Sequence, residues 1–157
     1  MIYRYNKVYF ASPFFTPEQI EREERLKAKL RELGFDVWSP KEFCMCPPNA
    51  TNEMRQNTFN KNCEAINRCN VVFAVTDGKD MGTIWEAGYA YGHNVLNESI
   101  GFPKTKIVYY CETLKGGQFN LMLAQSGDII ITKFEDLNKL PELLEKGVKL
   151  GYDGEIE

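Results

Sequence analysis

The sequence predicts a three-layer α/β sandwich, a five-stranded parallel sheet with helices on both faces and strand order 2-1-3-4-5. Five short apolar runs alternate with longer segments of helical character, an alternation that calls for crossover connections and a parallel sheet. The first run ends at Ser12-Pro13, the second at Ser39-Pro40 and the third in Thr76-Asp77-Gly78. Loops at the carboxyl ends of strands are where open α/β sheets hold ligands. The order follows because it sets the ends of the first and third strands beside one switch point. At 157 residues the chain is expected to form a single domain over 1–157.

The elements read off in order. Lys7-Val8-Tyr9-Phe10-Ala11 is the first strand. Thr16-Pro17-Glu18 opens a helix, with Thr as cap, Pro in the first turn and an acidic residue after it. Ile20, Leu26, Leu30 and Leu33 give it an apolar stripe and Gly34 stops it. Its charged middle, Glu21 to Arg31, reads as a solvated face with i,i+4 pairs. Phe35–Trp38 is the second strand. Lys41–Asn52 reads as a loop, longer than the roughly 2–6 residues usual for such connections, and so either a lid over a site or a flexible surface segment. A helix over about Asn52–Arg68 precedes the third strand, Asn70–Val75, and a helix from Met81 to about Val95 follows it. Thr105–Tyr110 is the fourth strand. After Gly116-Gly117 come a short helix at Phe119–Ala124, a fifth strand at Asp128–Ile131, a last helix at about Glu135–Val148 and an irregular tail at Gly151–Glu157.

Composition excludes several classes of function. A formal net charge of -3, with no Lys/Arg cluster, argues against a nucleic-acid surface. No apolar stretch reaches membrane-spanning length, and the N-terminus lacks the layout of a signal peptide. Five irregularly spaced cysteines do not form a disulfide framework, and with His93 the only histidine a structural zinc site is unsupported. A cytoplasmic protein without metal or cofactor is the expectation.

The chemistry concentrates in Met81-Gly82-Thr83-Ile84-Trp85-Glu86-Ala87-Gly88-Tyr89-Ala90-Tyr91. Glu86 falls one turn into this helix among small residues, which leave room for a ligand to approach a carboxylate. An exposed helical Glu is the competing reading. No G-x-G-x-x-G follows the first strand and no P-loop occurs, so those phosphate-binding devices are absent. A Ser–His–Asp site would have to use His93, which reads more readily as a surface or packing residue. What remains is a carboxylate-and-aromatic site: Glu86 and Asp80, with Tyr9, Phe14, Phe15, Trp85 and Tyr89 available to stack on a flat ring. Such a set suits glycosidic chemistry, in which a carboxylate attacks an anomeric carbon.

Three pieces of the chain carry a family resemblance: Val8-Tyr9-Phe10-Ala11-Ser12-Pro13-Phe14-Phe15, Asp80-Met81-Gly82-Thr83-Ile84-Trp85-Glu86-Ala87-Gly88-Tyr89-Ala90, and Asn120-Leu121-Met122. In their order and spacing the chain resembles the nucleoside 2-deoxyribosyltransferases. The resemblance implies a flavodoxin-like fold and a double displacement between 2'-deoxynucleosides and free nucleobases. It makes Glu86 the nucleophile on C1' and Tyr9 the residue that orients it. Asp80 and Asn120 would hold the sugar's 5'-hydroxyl, Asn120 reaching over from a neighbouring subunit of an oligomer built on a dimer. Phe14, Asn62, Met122 and Gly82 complete the expected substrate-binding set. Asp80 and Asn120 also read as helix caps, and Tyr9 as core packing.

The related deoxynucleoside 5'-monophosphate glycosidases tend to carry serines at these two polar positions. An ionised Asp80 accepts from a hydroxyl and repels a phosphate, which favours free nucleosides. One departure stands out. Asn62 occupies the place of a family aspartate tied to base recognition and to protonation of the leaving base, and an amide cannot supply that proton as a carboxylic acid can. The chain also ends Glu155-Ile156-Glu157 where the family often has an aromatic residue, with Tyr152 a few residues earlier. Hydrolysis of a nucleoside or its 5'-monophosphate, and nucleoside binding with little catalysis, are the alternative readings.

Overall fold

The computed structural model describes residues 4–114 and 117–157, so Gly116 of the expected Gly116-Gly117 turn lies outside the described residues. Strands β1 (Lys7–Ala11), β2 (Asp36–Trp38), β3 (Val71–Val75), β4 (Lys106–Tyr110) and β5 (Ile129–Ile131) form one sheet in the order β2-β1-β3-β4-β5. Every neighbouring pair is parallel. This is the expected topology, and it places the ends of β1 and β3 side by side.

Side chains alternate across the sheet, so each strand feeds two cores. On one face Val8, Phe10, Val71, Phe73 and Val75 pack with Leu26 and Leu30 of helix α1 (Pro17–Glu32) and with Leu137, Leu140 and Leu144. On the other, Tyr9, Ala11, Val72 and Ala74 pack against Ala65 and Ile66 of α3 (Asn52–Arg68) and Ala87 and Ala90 of α4 (Met81–Ser99). Because β3 is covered on both sides, all five of its residues are buried. The small residues of α4 let that helix lie close against the sheet, carrying Glu86 to the edge of the core.

Thr16 caps α1 in a capping box with Gln19, as the Thr16-Pro17 signal implied. Beyond shifts of one residue at several strand starts and of two at one short helix, three elements differ more from expectation. The segment read as a loop from Lys41 holds one helical turn, α2 (Pro40–Phe43), begun by Ser39 and Pro40. Helix α4 runs on to Ser99, past the expected Val95. The expected single helix over Glu135–Val148 is divided: a 3₁₀ turn at Phe134–Lys139 leads into α6 (Leu140–Lys146). Pro141 lacks an N–H, so no α-helical ladder can run through it from Glu135. The expected short helix at Phe119–Ala124 is present as α5 (Leu121–Ser126), displaced by two residues because Asn120 serves as its cap.

The tail is irregular but pinned. Phe119 and Ile156 form a parallel bridge, and Leu121 N–H donates to the Glu157 carbonyl at 2.9 Å. The β3–α4 loop is braced as well. Buried Asp77 accepts from the backbone N–H groups of Glu112 at 3.2 Å and Thr113 at 2.8 Å, while Gly78 turns the chain at φ 84°.

Candidate active site

At the carboxyl ends of β1 and β3 lies a cleft of about 640 Å³, bordered by Phe14, Asn62, Asp80, Gly82, Thr83 and Glu86. The segment after α2 borders it, contributing Cys44, Met45, Cys46 and Pro48. Part of the Lys41–Asn52 segment thus lies at the rim of the cleft.

Glu86 is the centre of the geometry. Tyr9, fully buried in β1, donates its hydroxyl to Glu86 Oε1 at 2.5 Å. Burial raises the Glu86 carboxyl, the Tyr9 hydrogen bond opposes that by favouring the charged form, and the Asp80 charge adds to the rise; the result is a carboxyl pushed up to about 7. The Tyr9 phenol is held far above its ordinary range, first by burial and then by the neighbouring carboxylate, so it stays a donor. Cys63 on α3 and Cys44 are raised chiefly by burial and remain neutral thiols.

Asp80 has a double position. Its Oδ2 caps α4, accepting from Thr83 N–H at 2.8 Å and Thr83 Oγ1 at 2.9 Å. Among the described residues Oδ1 has no protein donor, and Asp80 borders the cleft. A side chain at Gly82 would meet Asp80 Oδ2 at 3.2 Å, so glycine keeps this corner clear. Asn62 also lines the cleft, and among the described residues its buried Oδ1 has no hydrogen-bond partner. An unpaired buried amide oxygen is costly unless a ligand donates to it.

The structure therefore brings Glu86, Tyr9, Asp80, Phe14, Asn62 and Gly82 together. It does not bring Asn120 or Met122 to this cleft within one chain. Asn120 is exposed and caps α5, accepting from Met122 N–H at 3.0 Å and Leu123 N–H at 3.4 Å. Both residues line a separate hollow of about 340 Å³ with Thr76, Ile84 and Glu157. His93 stacks on Tyr89 at the surface of α4, in line with Trp85, and takes no part in the cleft. Sequence reasoning missed Thr83 as the partner of Asp80, although Asp-x-x-Thr at a helix start is a visible capping pattern. It also missed Trp38, which stacks on Tyr9 with ring centroids 5.2 Å apart. That contact depends on the Tyr9–Trp38 register of β1 and β2. Among the described residues no group of three or more His, Cys, Asp or Glu is gathered as metal ligands would be. No helix there is long and apolar enough to cross a membrane.

Fold and cleft together define a flavodoxin-like α/β protein with paired carboxylates at its switch point. The chain belongs to the nucleoside 2-deoxyribosyltransferase family, whose model matches residues 8–122. Among solved structures it is similar to a 2-deoxyribosyltransferase from the psychrotolerant bacterium Bacillus psychrosaccharolyticus, with 27% identity and a TM-score of 0.73. That match covers 93% of this chain and 98% of the other. A conserved protein from Enterococcus faecalis V583 matches at 20% identity and a TM-score of 0.55, covering 94% of this chain and 80% of that one, a likeness of fold alone. No curated protein sequence matches.

Proposed function

We propose that the chain transfers 2-deoxyribose from a 2'-deoxynucleoside to an acceptor nucleobase, by way of a covalent ester on Glu86. The observation that carries this reading is the Tyr9–Glu86 hydrogen bond inside a cleft that also presents Asp80. In the first half-reaction an ionised Glu86 oxygen attacks C1'. The N-glycosidic bond breaks, its electron pair leaves with the base, and the base takes a proton from solvent or a cleft donor. In the second half the nitrogen of another base attacks C1', the ester bond breaks, and the carboxylate is regenerated as the incoming base sheds its proton. Tyr9 points the carboxylate at the sugar and holds it through both halves.

With its capping role on Oδ2, Asp80 has Oδ1 available to accept from a 5'-hydroxyl, while its negative charge disfavours a 5'-phosphate. Phe14 stacks on the base, and the unpartnered Oδ1 of Asn62 accepts from a base N–H once the ligand displaces what covers it. Asn120 and Met122, exposed and outside their own chain's cleft, complete the site of a neighbouring copy, which makes the working form a homo-oligomer built on a dimer. Five free cysteines suit the reducing cytoplasm.

The test is chromatography of the purified protein with thymidine and free adenine. Deoxyadenosine formed by the wild type and absent with Glu86→Ala is the expected result. Free thymine released at the same rate without adenine would make the protein a hydrolase. No product in either mixture would overturn the catalytic reading for this substrate pair.

A further inference from the structure

Three aromatic rings form a continuous stack beside the cleft. Tyr9 and Trp38 sit opposite one another on neighbouring parallel strands, their ring planes 22° apart. Trp38 in turn stacks on Phe43, with centroids 5.9 Å apart and planes at 21°. Phe43 is the last residue of α2, and the residues that follow it, Cys44 to Cys46, border the cleft. One end of the stack is thus the hydroxyl that holds Glu86, and the other is the root of the segment at the rim of the cleft.

Tyr9 is enclosed by the core on its own face of the sheet, with Trp38 packed against that core from the edge, while the outermost ring has little around it. Trp38 and Phe43 border a second hollow of about 260 Å³, with Val37, Ala65, Cys69 and a charged rim that includes Arg68. Phe43 is 60% exposed, so little besides Trp38 covers it. Ion pairs tie α2 to α1: Lys27 Nζ lies 2.9 Å from Glu42, Arg31 2.6 Å from Glu42, and Lys41 2.7 Å from Glu24. The outer ring therefore rides on a helical turn anchored from the far face of the sheet edge, and the inner ring carries the phenol.

We infer that Trp38 is a positioning residue, acting through Tyr9 on Glu86, and that Phe43 links this action to the segment at the rim of the cleft. The inference rests on the proposed role of Glu86. Aromatic pairs of this kind favour an offset-stacked geometry that adds to their area burial. Trp38 is the ring stacked on Tyr9, so it helps set the plane of the phenol and with it the direction of the hydroxyl. With the stack broken, the phenol tilts, its bond to Glu86 Oε1 lengthens, and the carboxylate loses the donor that stabilises its ionised form. The other titratable groups facing the pair are Cys63 from α3, Cys44 from the segment after α2, and Asp80 at the head of α4; substitution of Trp38 leaves all three in place.

The experiment compares kcat/KM against pH for thymidine-to-adenine transfer in wild type, Trp38→Leu, Trp38→Phe, Tyr9→Phe and the Tyr9→Phe/Trp38→Leu double variant. Trp38→Leu is expected to move the acidic limb upward by about one pH unit, the effect of weakening one hydrogen bond to a charged group. It also lowers kcat by roughly tenfold, the kinetic equivalent of that loss, with KM changed much less. Trp38→Phe, which keeps a ring in the stack, restores the wild-type limb. Tyr9→Phe moves the limb by itself, and adding Trp38→Leu moves it no further. A folded Trp38→Leu with the limb in its original place, or shifts that add in the double variant, would overturn the proposal. Should Trp38→Leu not fold, Phe43→Ala at its exposed position serves instead: the same direction of shift supports the inference and an unmoved limb sinks it. Should the wild type show no transfer, the proposed function fails separately. The stack is then read from a ¹³C NMR titration of the Glu86 carboxyl in the same variants, with the same two outcomes.

Discussion

Replacing Glu86 by glutamine keeps the shape of the site and removes its charge, so its effect on stability must depend on pH. The carboxyl lies at about 7 in the folded chain against an ordinary value of 4.5, raised by burial and by Asp80 and held back by Tyr9. Below about pH 4.5 the group is protonated in both folded and unfolded chains, and the substitution changes little. Between there and pH 7 the unfolded chain releases this proton while the folded chain keeps it, so wild-type stability falls as pH rises. Above pH 7 the loss is complete. At roughly 1.4 kcal/mol per pH unit the interval amounts to about 3 kcal/mol. Glu86→Gln should therefore be about as stable as wild type at pH 4.5 and more stable by about 3 kcal/mol at pH 8, while making no deoxyribosyl ester. Urea denaturation at several pH values, compared at constant slope, measures this directly. A stability difference that is the same at every pH, or a variant weaker than wild type at pH 8, would refute the reasoning.

Other substitutions separate the remaining roles. Asp80→Asn keeps a good helix cap, so thermal unfolding should change by no more than about 0.5 kcal/mol. The KM for thymidine should rise as a charged acceptor is lost, and the acidic limb of the rate profile should move down because the charge that raises Glu86 is gone. Asn62→Asp returns a carboxylic acid to the base side of the cleft and should speed transfer by roughly 10–100-fold, read by initial rates at pH 6. Lys27, fully buried, lies 3.3 Å from Glu23, 3.1 Å from Glu24 and 2.9 Å from Glu42. Lys27→Met should cost about 3 kcal/mol in denaturant unfolding, because buried Glu23 keeps only Ser39 and a 3.3 Å ion pair to Lys41. Adding Glu23→Leu should recover most of that loss.

The sheet was legible because each of its strands is a short apolar run bounded by a breaker, and because a parallel order that joins the ends of β1 and β3 makes a cleft. Glu86 and Asp80 were legible for a local reason: both lie in one short stretch around a helix start. What the chain did not disclose depends on distance in sequence. Trp38 meets Tyr9 only through inter-strand register, and a single residue's slip would turn it to the other face. The turn at Pro40–Phe43 carried a start signal, Ser39-Pro40, but four residues are too few for a helical period to show. The division of the last helix had a cue in Pro141, outweighed by the leucines around it. Asn120 was recognised through resemblance, yet its own chain turns it away from the cleft.

The capping of α4 by Asp80 also constrains how this cleft can change its diet over evolutionary time. On the proposed function, the residue that selects the 5' end of the ligand also begins the helix that carries Glu86. That restricts the position to the few short polar side chains able to cap, namely serine, threonine, aspartate and asparagine. Within that short alphabet charge can be exchanged for a neutral hydroxyl without unravelling the first turn. A longer cation able to clasp a phosphate could not be introduced there without loosening the helix. Selectivity at the 5' end should therefore drift through small, uncharged substitutions at this site, with any positive charge recruited from elsewhere on the rim.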